Sequence, residues 1–427
     1  MTMALQTDPQ PRSVTLRSIA PSAFAPALVY EIGNGAIAPV IALTALDVGA
    51  STGTAAFMLA LLGIGQILGD IPAAALADRV GDRHAMVLAA GMAVLALAGC
   101  YFATSLALLG FALILIGASN STFYLARQSY LTEVVPISLR ARAMSTLGGS
   151  HRIGLFIGPF IGAAAISLGG LRAAYVVAML AVTASAVLLM VIPDVDPLPD
   201  QPVAVRGGVS SWSMLKTYRR LFATLGIAVL TVGAVRAARQ TVLPLWAQHL
   251  GLSPEQTSLM FGVASAVDMA LFYPSGKVMD RYGRLAIALP SMIILGGAMI
   301  CIPLTSGFAS LTVVAMVMSF GNGIGSGIMM TLGADVAPAD SRTRFLAVWR
   351  LFNDSGNAAG PVLVSIVATA ATLAVGIASV GGVGLIAAGA LARWVPRYSP
   401  YATPSSMRAI RESHAAVAAD AGPPIES

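Results

Sequence analysis

The chain has 427 residues, of which 57% are hydrophobic and only 10% are charged, and its formal net charge is +6. A soluble globular protein carries roughly 25% charged residues, so a chain this apolar could not cover a water-exposed surface, and its solvent must be lipid. The two cysteines, Cys100 and Cys301, lie in apolar runs and give neither a disulfide framework nor a metal-ligand spacing.

Apolar runs long enough to cross a bilayer, which takes about 20 residues, recur along the chain. They are too long, and too rich in alanine, leucine and glycine, for the alternating strands of a membrane barrel. The sequence therefore predicts an all-α membrane protein with twelve transmembrane helices. In chain order the spans are predicted at residues 22–46, 54–77, 84–103, 106–130, 143–168, 171–192, 221–250, 254–278, 285–304, 311–334, 345–370 and 373–394.

The sequence repeats itself at a fixed offset of 202 residues. The turn Asp78–Gly81 after the second span recurs as Asp280–Gly283 after the eighth, and Pro159 recurs as Pro361. Repetition in a fixed register indicates equivalent structural units, here two pseudo-symmetric six-helix bundles. The predicted division is a cytoplasmic N-terminal segment at 1–20, bundles at 21–193 and 219–396, a cytoplasmic linker at 194–218 and a disordered cytoplasmic tail at 397–427.

Positive charge is distributed unevenly between the two predicted membrane faces. Of the 25 Arg and Lys residues, 19 fall on one face, five fall inside spans, and Arg172 alone falls on the other face. Because Arg and Lys are retained on the cytoplasmic side, both termini and the linker are predicted to be cytoplasmic, in a multi-pass protein of the plasma (inner) membrane. The basic charge thus reports topology, and no nucleic-acid partner is expected.

This arrangement resembles the major facilitator superfamily (MFS) over roughly residues 22–396. In that family the turn ends a motif, G-x-x-x-D-R-x-G-R, called motif A. The first copy departs from it, with Ala74 at the first glycine and Asp82 at the last arginine. The second copy matches it throughout, at Gly276, Asp280, Arg281, Gly283 and Arg284. The resemblance implies the MFS fold and a transporter that is a monomer in the lipid bilayer.

The resemblance also implies a cytoplasmic gate. Asp78 would face the start of the eleventh span and Asp280 the start of the fifth, since a helix N-terminus favours a carboxylate. Glu133 and Asp335 could pair with Arg83 and Arg284, respectively. The alternative is a pair of ordinary solvated turns. The predicted gate residues are Asp78, Arg79, Arg83, Glu133, Asp280, Arg281, Arg284 and Asp335.

The fifth span carries a second motif. Gly154, Gly158, Pro159 and Gly162 are similar to motif C, G-x-x-x-G-P-x-x-G-G, of drug:proton antiporters, with Ala163 in place of the last glycine. Small residues permit close helix approach and proline bends the helix. The resemblance favours export. The eleventh span has a similar stretch at residues 356–361, which weakens this inference, because a repeated feature could be scaffold. The arginine motif that this branch has early in the fourth span is absent.

Several ionisable residues fall inside predicted spans. A charge there raises the free energy of the protein unless it is paired or hydrated, so such residues are first considered as functional candidates. The candidates for proton or substrate coupling are Glu31, Asp268, Arg236, Arg239 and Arg127. Further polar candidates for a central cavity are Asn34, Gln66, Asn353, Asp354 and Arg152, with a salt bridge between Arg152 and Asp354 as one hypothesis. The alternative is that these residues form permanent structural ion pairs.

The leading prediction is a secondary transporter that exports drug-like or amphipathic small molecules in exchange for protons by alternating access. The first alternative is an uptake symporter or facilitator for a small metabolite. Arg236 and Arg239 would then favour a metabolite that is an anion. The second is a non-transporting membrane receptor or scaffold. No nucleotide-binding loop, metal cluster or nucleophile–base spacing occurs, so neither an enzyme nor a cofactor is expected.

Overall fold

The computed structural model describes residues 19–193, 211–338, 341–409 and 412. Helices dominate these residues, because in hydrocarbon a helix satisfies its own backbone hydrogen bonds. In chain order they are α1 (Ala25–Ile37), α2 (Val40–Asp47), α3 (Thr52–Val80), α4 (Asp82–Tyr101), α5 (Leu106–Val134), α6 (Ile137–Gly169), α7 (Ala173–Val191), α8 (Ser211–Thr217), α9 (Arg219–Leu221), α10 (Ile227–His249), α11 (Pro254–Tyr282), α12 (Leu285–Cys301), α13 (Phe308–Ile324), α14 (Ile328–Val336), α15 (Arg342–Ala370) and α16 (Leu373–Tyr398).

The predicted spans correspond closely to these helices. Within the described residues, ten helical segments are long and apolar enough to cross a membrane, and α1 with α2 gives an eleventh if the bent pair counts as one span. The remaining predicted span is α15, which is long enough but carries Arg342, Arg344, Arg350 and Asp354. An all-helical membrane fold is thus confirmed, while the count of twelve crossings stays a prediction.

Two spans are broken at points that the apolar pattern did not predict. The first bends by 41° between Ile37 and Val40, next to Pro39. The tenth is interrupted between α13 and α14, where Gly327 takes a positive φ of 76°. Irregular backbone of this kind is tolerated at membrane depth only where it is buried in protein or lines a cavity.

The repeat is visible in the backbone at several places. A π-helical turn precedes α1 at Ala20–Phe24, and another precedes α10 at Phe222–Gly226, in the same register. The two Asp-Arg turns also match, because Gly81 and Gly283 end their helices with φ of 83° and 91°. Only glycine adopts this conformation cheaply, which explains why both copies of the turn keep it.

Two bundles pack against each other through two pairs of long helices. In the N-terminal half α1 packs on α6 and α7, and α3 packs on α5. In the C-terminal half α10 packs on α15, and α12 packs on α16. The principal contacts between the halves are α3 with α15 and α6 with α11. Any ligand site between the halves is therefore bounded by these four helices together with α1 and α10.

Glycines bring the first and fifth spans into backbone contact. A Cβ atom placed on Gly158 would lie 2.5 Å from the Ile32 carbonyl oxygen, and one on Gly154 would lie 2.8 Å from the Leu28 carbonyl oxygen. The motif C glycines therefore hold α6 against α1. The equivalent Gly356 and Gly360 hold α15 against α10 in the same way. Because both halves have the same glycine-mediated helix contact, the contact has a structural role in each half.

Residues 397–409, at the start of the predicted disordered tail, have defined structure. The Tyr401 and Ala402 carbonyls accept hydrogen bonds from the Arg284 and Leu285 backbone amides, at 3.1 and 3.0 Å. This segment therefore covers the second Asp-Arg turn. The N-terminal segment 1–18, most of the linker and the end of the tail lie outside the described residues, whereas Ser211–Thr217 of the predicted linker form α8.

The substitution Gly158→Ala is expected to destabilise the protein by about 1–3 kcal/mol, because its methyl group would force α6 away from α1. Gly149→Ala is the matched control in the same helix, since a Cβ there meets nothing within 4 Å. Thermal unfolding of the two purified variants in detergent measures the difference. Equal melting temperatures would contradict the packing role.

Candidate functional site: a polar cavity between the halves

A cavity of about 450 Å³ lies between the two halves. Its walls come from both bundles: α1, α3, α5 and α6 on one side, and α10, α11, α13 and α15 on the other. The wall residues that the sequence predicted are Gln66, Arg152, Arg236, Arg239 and Asp268. Among the residues the structure describes, no group of three or more His, Cys, Asp or Glu side chains converges as metal ligands would.

Glu31 lies behind the cavity wall, with 0% of its surface exposed. Its Oε2 accepts hydrogen bonds from the Asn34 amide at 3.2 Å and from the Tyr124 hydroxyl at 3.3 Å. Its Oε1 lies 3.0 Å from His151 Nδ1 and 3.8 Å from Arg127 Nη1. The carboxyl group is therefore shielded from lipid and surrounded by donors.

Two residues separate Glu31 from the cavity. His151 and Tyr124 both line the cavity and both contact the carboxyl group. The His151 side chain is 37% exposed. Arg127 is buried, with its guanidinium 5.1 Å from the centre of the Tyr124 ring. The imidazole is thus in a position to pass a proton between the cavity and Glu31.

Asp268 forms a second polar centre and joins the two halves. Arg152 of α6 lies 2.9 Å from its Oδ1, and the Asn322 amide donates to both carboxylate oxygens at 3.1 and 3.0 Å. Arg152 also donates to Ser326 at 2.7 Å. Arg239 is more distant, at 4.0 Å from Oδ2. The shortest ion pair here therefore crosses the interface between the bundles.

The break in the tenth span supplies acceptors to this centre. The Ser326 amide bonds to the Gly323 carbonyl at 3.1 Å, which leaves the Asn322 carbonyl to accept from Arg236 at 3.0 Å. A Cβ on Gly325 would lie 2.7 Å from Arg236 Nη2, so the glycine makes room for the guanidinium. The interruption between α13 and α14 is therefore part of the site.

A third cluster lies at the contact of α3 with α15. Arg350 is 3.3 Å from Asp354 and 3.9 Å from Asp70, which also accepts a hydrogen bond from Ser121. Asn353 donates to Asp354 at 3.2 Å. The hypothesis of a bridge between Arg152 and Asp354 is therefore wrong: the two side chains lie at different interfaces and pair with other residues.

The predicted gate residues lie near the Asp-Arg turns. Arg284 donates to both oxygens of Asp335, at 2.7 and 3.0 Å, as predicted. Arg83 donates to the Leu189 and Ile192 carbonyls, and its predicted pairing with Glu133 stays a prediction. Asp280 is 76% exposed, and its ion partner among the described residues is Arg284, at 3.9 Å. Exposed positions are also found for Asp78, Arg79, Glu133 and Arg281.

Sequence reasoning missed the hydrogen-bonding roles of several neutral residues. Tyr124 was not among the predicted coupling or cavity residues, yet its hydroxyl contacts Glu31. Asn322 and Ser326 were not singled out. The repeat could have found them, because Asn322 occupies the register of Asn120 and Ser326 that of Tyr124. Paired polar positions inside otherwise apolar spans were the available signal.

A family model described as the Major Facilitator Superfamily matches residues 24–361 and 225–415. The chain belongs to the Major Facilitator Superfamily. Membership of this family fits the two packed bundles and the cavity between them. As an MFS protein the chain is a membrane transporter, which confirms the predicted class.

Individual MFS relatives are distant. The chain is 24% identical over 338 residues to multidrug resistance protein MdtH of Shigella boydii, covering 78% of this chain and 82% of that one. It is 26% identical over 170 residues to multidrug resistance protein MdtG of Enterobacter lignolyticus, covering 39% of this chain and only 41% of the relative's length. A crystal structure of a D-xylose-proton symporter superposes with a TM-score of 0.68 at 15% identity, over 91% of this chain and 99% of that one.

The substitution Arg284→Gln is expected to destabilise the protein by about 3–5 kcal/mol, because it leaves the buried Asp335 carboxylate without its cation. Arg281→Gln, at an exposed position in the same turn, is the control and should unfold like the wild type. Thermal unfolding of Arg284→Gln, Asp335→Asn and the double variant tests the pair. Strictly additive losses would argue against a direct interaction.

Proposed function

We propose that this MFS transporter exports drug-like or amphipathic small molecules from the cytoplasm in exchange for protons, by alternating access across the plasma membrane. The observation that carries the proposal is Glu31. It is a fully buried carboxyl group that reaches the cavity through an imidazole. Such a group can bind a proton in one conformation and release it in another as its surroundings change.

The two polar centres are linked through consecutive residues of α6. His151 contacts Glu31, and the next residue, Arg152, contacts Asp268 in the opposite half. A shift of α6 that follows a change in the Glu31–His151 contact would therefore act directly on the Arg152–Asp268 bridge. This arrangement couples the proton site to the interface that must rearrange during transport.

The pairing of α6 with α11 supports a conformation open at the Asp-Arg end. Gly262 lies against Phe160, Asp268 against Arg152, and Phe272 against Gly148. Beyond these contacts, at the Asp-Arg end, Tyr273 is 72% exposed and a Cβ on Gly276 would meet nothing within 4 Å.

If α6 and α11 closed further in the same antiparallel register, Gly276 would lie against Met144 and Asp280 would lie near the N-terminus of α6. These are the contacts expected of the predicted gate, in which the Asp280 carboxylate would face the N-terminus of a helix. By the positive-inside rule this end is cytoplasmic, so the conformation faces inward.

The direction of transport is supported by the relatives that are named as multidrug resistance proteins. Their low identity, and the scaffold role of the motif C glycines in both halves, leave uptake as a second candidate. For an uptake carrier, the arginines of the cavity point to an anionic metabolite. Transport in membrane vesicles of opposite orientation distinguishes the two, because an exporter accumulates substrate in inside-out vesicles and an uptake carrier in right-side-out ones.

The substitution Glu31→Gln is expected to reduce proton-driven flux at least tenfold, because the amide cannot carry a proton. Substrate exchange in the absence of a pH gradient should stay intact. The measurement is uptake of a transported dye into proteoliposomes, with an imposed pH gradient and as counterflow. Glu255→Gln, at the far end of α11, is the matched control. Unchanged proton-driven flux in Glu31→Gln would rule out Glu31 as the proton carrier.

The substitution Gly276→Leu is expected to leave stability unchanged and to reduce flux at least tenfold, because the added side chain occupies free space here but would obstruct closure. Gly389→Leu is the control, since a Cβ on that exposed glycine also meets nothing within 4 Å. Melting temperature, dye binding and dye flux are compared for both variants. Wild-type flux in Gly276→Leu would show that α6 and α11 do not close at this level.

A further inference from the structure

The cavity carries more positive than negative charge. Three arginines, Arg152, Arg236 and Arg239, line it together with one carboxylate, Asp268. Arg152 takes the close contact with this carboxylate, at 2.9 Å. Arg239 remains at 4.0 Å from it and donates to Ser319 at 2.8 Å. Two guanidinium charges are therefore left with little compensation at the cavity surface.

Arg236 is the least compensated of the three. Its contact with the protein is the Asn322 carbonyl at 3.0 Å, and no carboxylate of the described residues lies within ion-pair distance. The buried Nε atoms of both Arg236 and Arg239 lack hydrogen-bond acceptors in the described part of the chain. Guanidinium groups stay charged in proteins, and a charge at membrane depth requires a counter-charge or water.

The surrounding ionisable groups do not provide that counter-charge. Glu31 is buried behind the wall, where Arg127 lies 3.8 Å from it. Asp70 and Asp354 share Arg350 at the α3–α15 contact and do not line the cavity. The cavity surface on the side of α10 is thus positive.

We infer that the transported molecule carries an anionic group, a carboxylate, sulfonate or phosphonate, that binds Arg236 and Arg239. The two arginines are one helical turn apart on α10 and share a face, and the planar guanidinium suits the oxygens of such groups. The apolar part of the molecule lies against Leu59, Leu155 and Phe261, which also line the cavity. This inference rests on the proposed function and narrows its substrate class.

The same geometry links substrate binding to the interface between the halves. An anion placed between the arginines competes with Asp268 for Arg152, because all three arginines line one cavity. Binding of the substrate thereby weakens the shortest ion pair that joins the bundles. The anionic group thus favours separation of α6 from α11 at this level.

Equilibrium binding to the full chain in phosphatidylcholine nanodiscs tests the inference. Three probes share one ring system: naphthalene-2-sulfonate, 2-naphthylmethylammonium and 2-naphthalenemethanol. We expect the sulfonate to bind at least tenfold more tightly than the other two. Addition of phosphatidylglycerol to the nanodiscs distinguishes a soluble from a lipid-borne anion, since displacement of the sulfonate by this lipid assigns the anionic group to a headgroup, and no displacement assigns it to a soluble molecule.

Variants separate recognition of the anion from folding. Arg236→Gln and Arg239→Gln are each expected to weaken sulfonate binding about tenfold, and the Lys variants less. Asp268→Asn is expected to bind the sulfonate several-fold more tightly, because the competing carboxylate is removed, and a misfolded protein would not gain affinity. Arg393→Gln, at an exposed position of α16, should bind as the wild type does.

Equal binding of the three probes, or tighter binding of the ammonium, would overturn the inference. Wild-type sulfonate affinity in the folded Arg236→Gln and Arg239→Gln variants would do so too. These outcomes are distinct from failure of the proposed function. If a cationic dye were transported in a manner dependent on Glu31, the anion assignment alone would fail. If the sulfonate bound as expected but its flux ignored the pH gradient, proton coupling alone would fail.

Discussion

A charged side chain inside a bilayer has to be compensated by other protein groups, and this constraint explains most of what lies between the two halves. Glu31 is compensated within its own bundle, by Asn34, Tyr124, His151 and Arg127. Asp268 has its closest cation in the other bundle, Arg152, and accepts further hydrogen bonds from Asn322 of its own bundle. The first arrangement isolates the proposed proton site from lipid. The second makes the fit of the two halves depend on charge, so a change in either centre alters the relation of the bundles.

Close helix contact makes such a buried site possible. Gly154 and Gly158 allow α6 to approach the backbone of α1, and this contact places His151 beside Glu31. The break at Gly325–Gly327 has the opposite effect, since it opens the backbone and frees an acceptor for Arg236. Small residues thus serve two purposes: they close one interface, and they loosen a helix where arginines need partners.

The sequence predicted the fold, and it named ionisable candidates that the structure places in or beside the cavity, but it did not predict their pairing. Hydropathy located the spans, and the cost of buried charge singled out Glu31 and Asp268. The repeat placed Arg152 and Asp354 at equivalent positions, yet it carries no information on contacts across the interface. Because α6 packs on α11 while α15 packs on α3, these two residues lie at different interfaces. The break in the tenth span was missed, since glycine is common in membrane helices.

The segment at 399–402, directly after the last span, has a structural role. It accepts hydrogen bonds from the Arg284 and Leu285 amides, and the Ser399 hydroxyl donates to Asp335 at 3.0 Å. A chain shortened to end at Tyr398 would remove the acceptors of the Arg284 and Leu285 amides and one hydrogen-bond donor to Asp335. Affinity tags and reporter domains therefore belong after this segment, where they leave the turn covered.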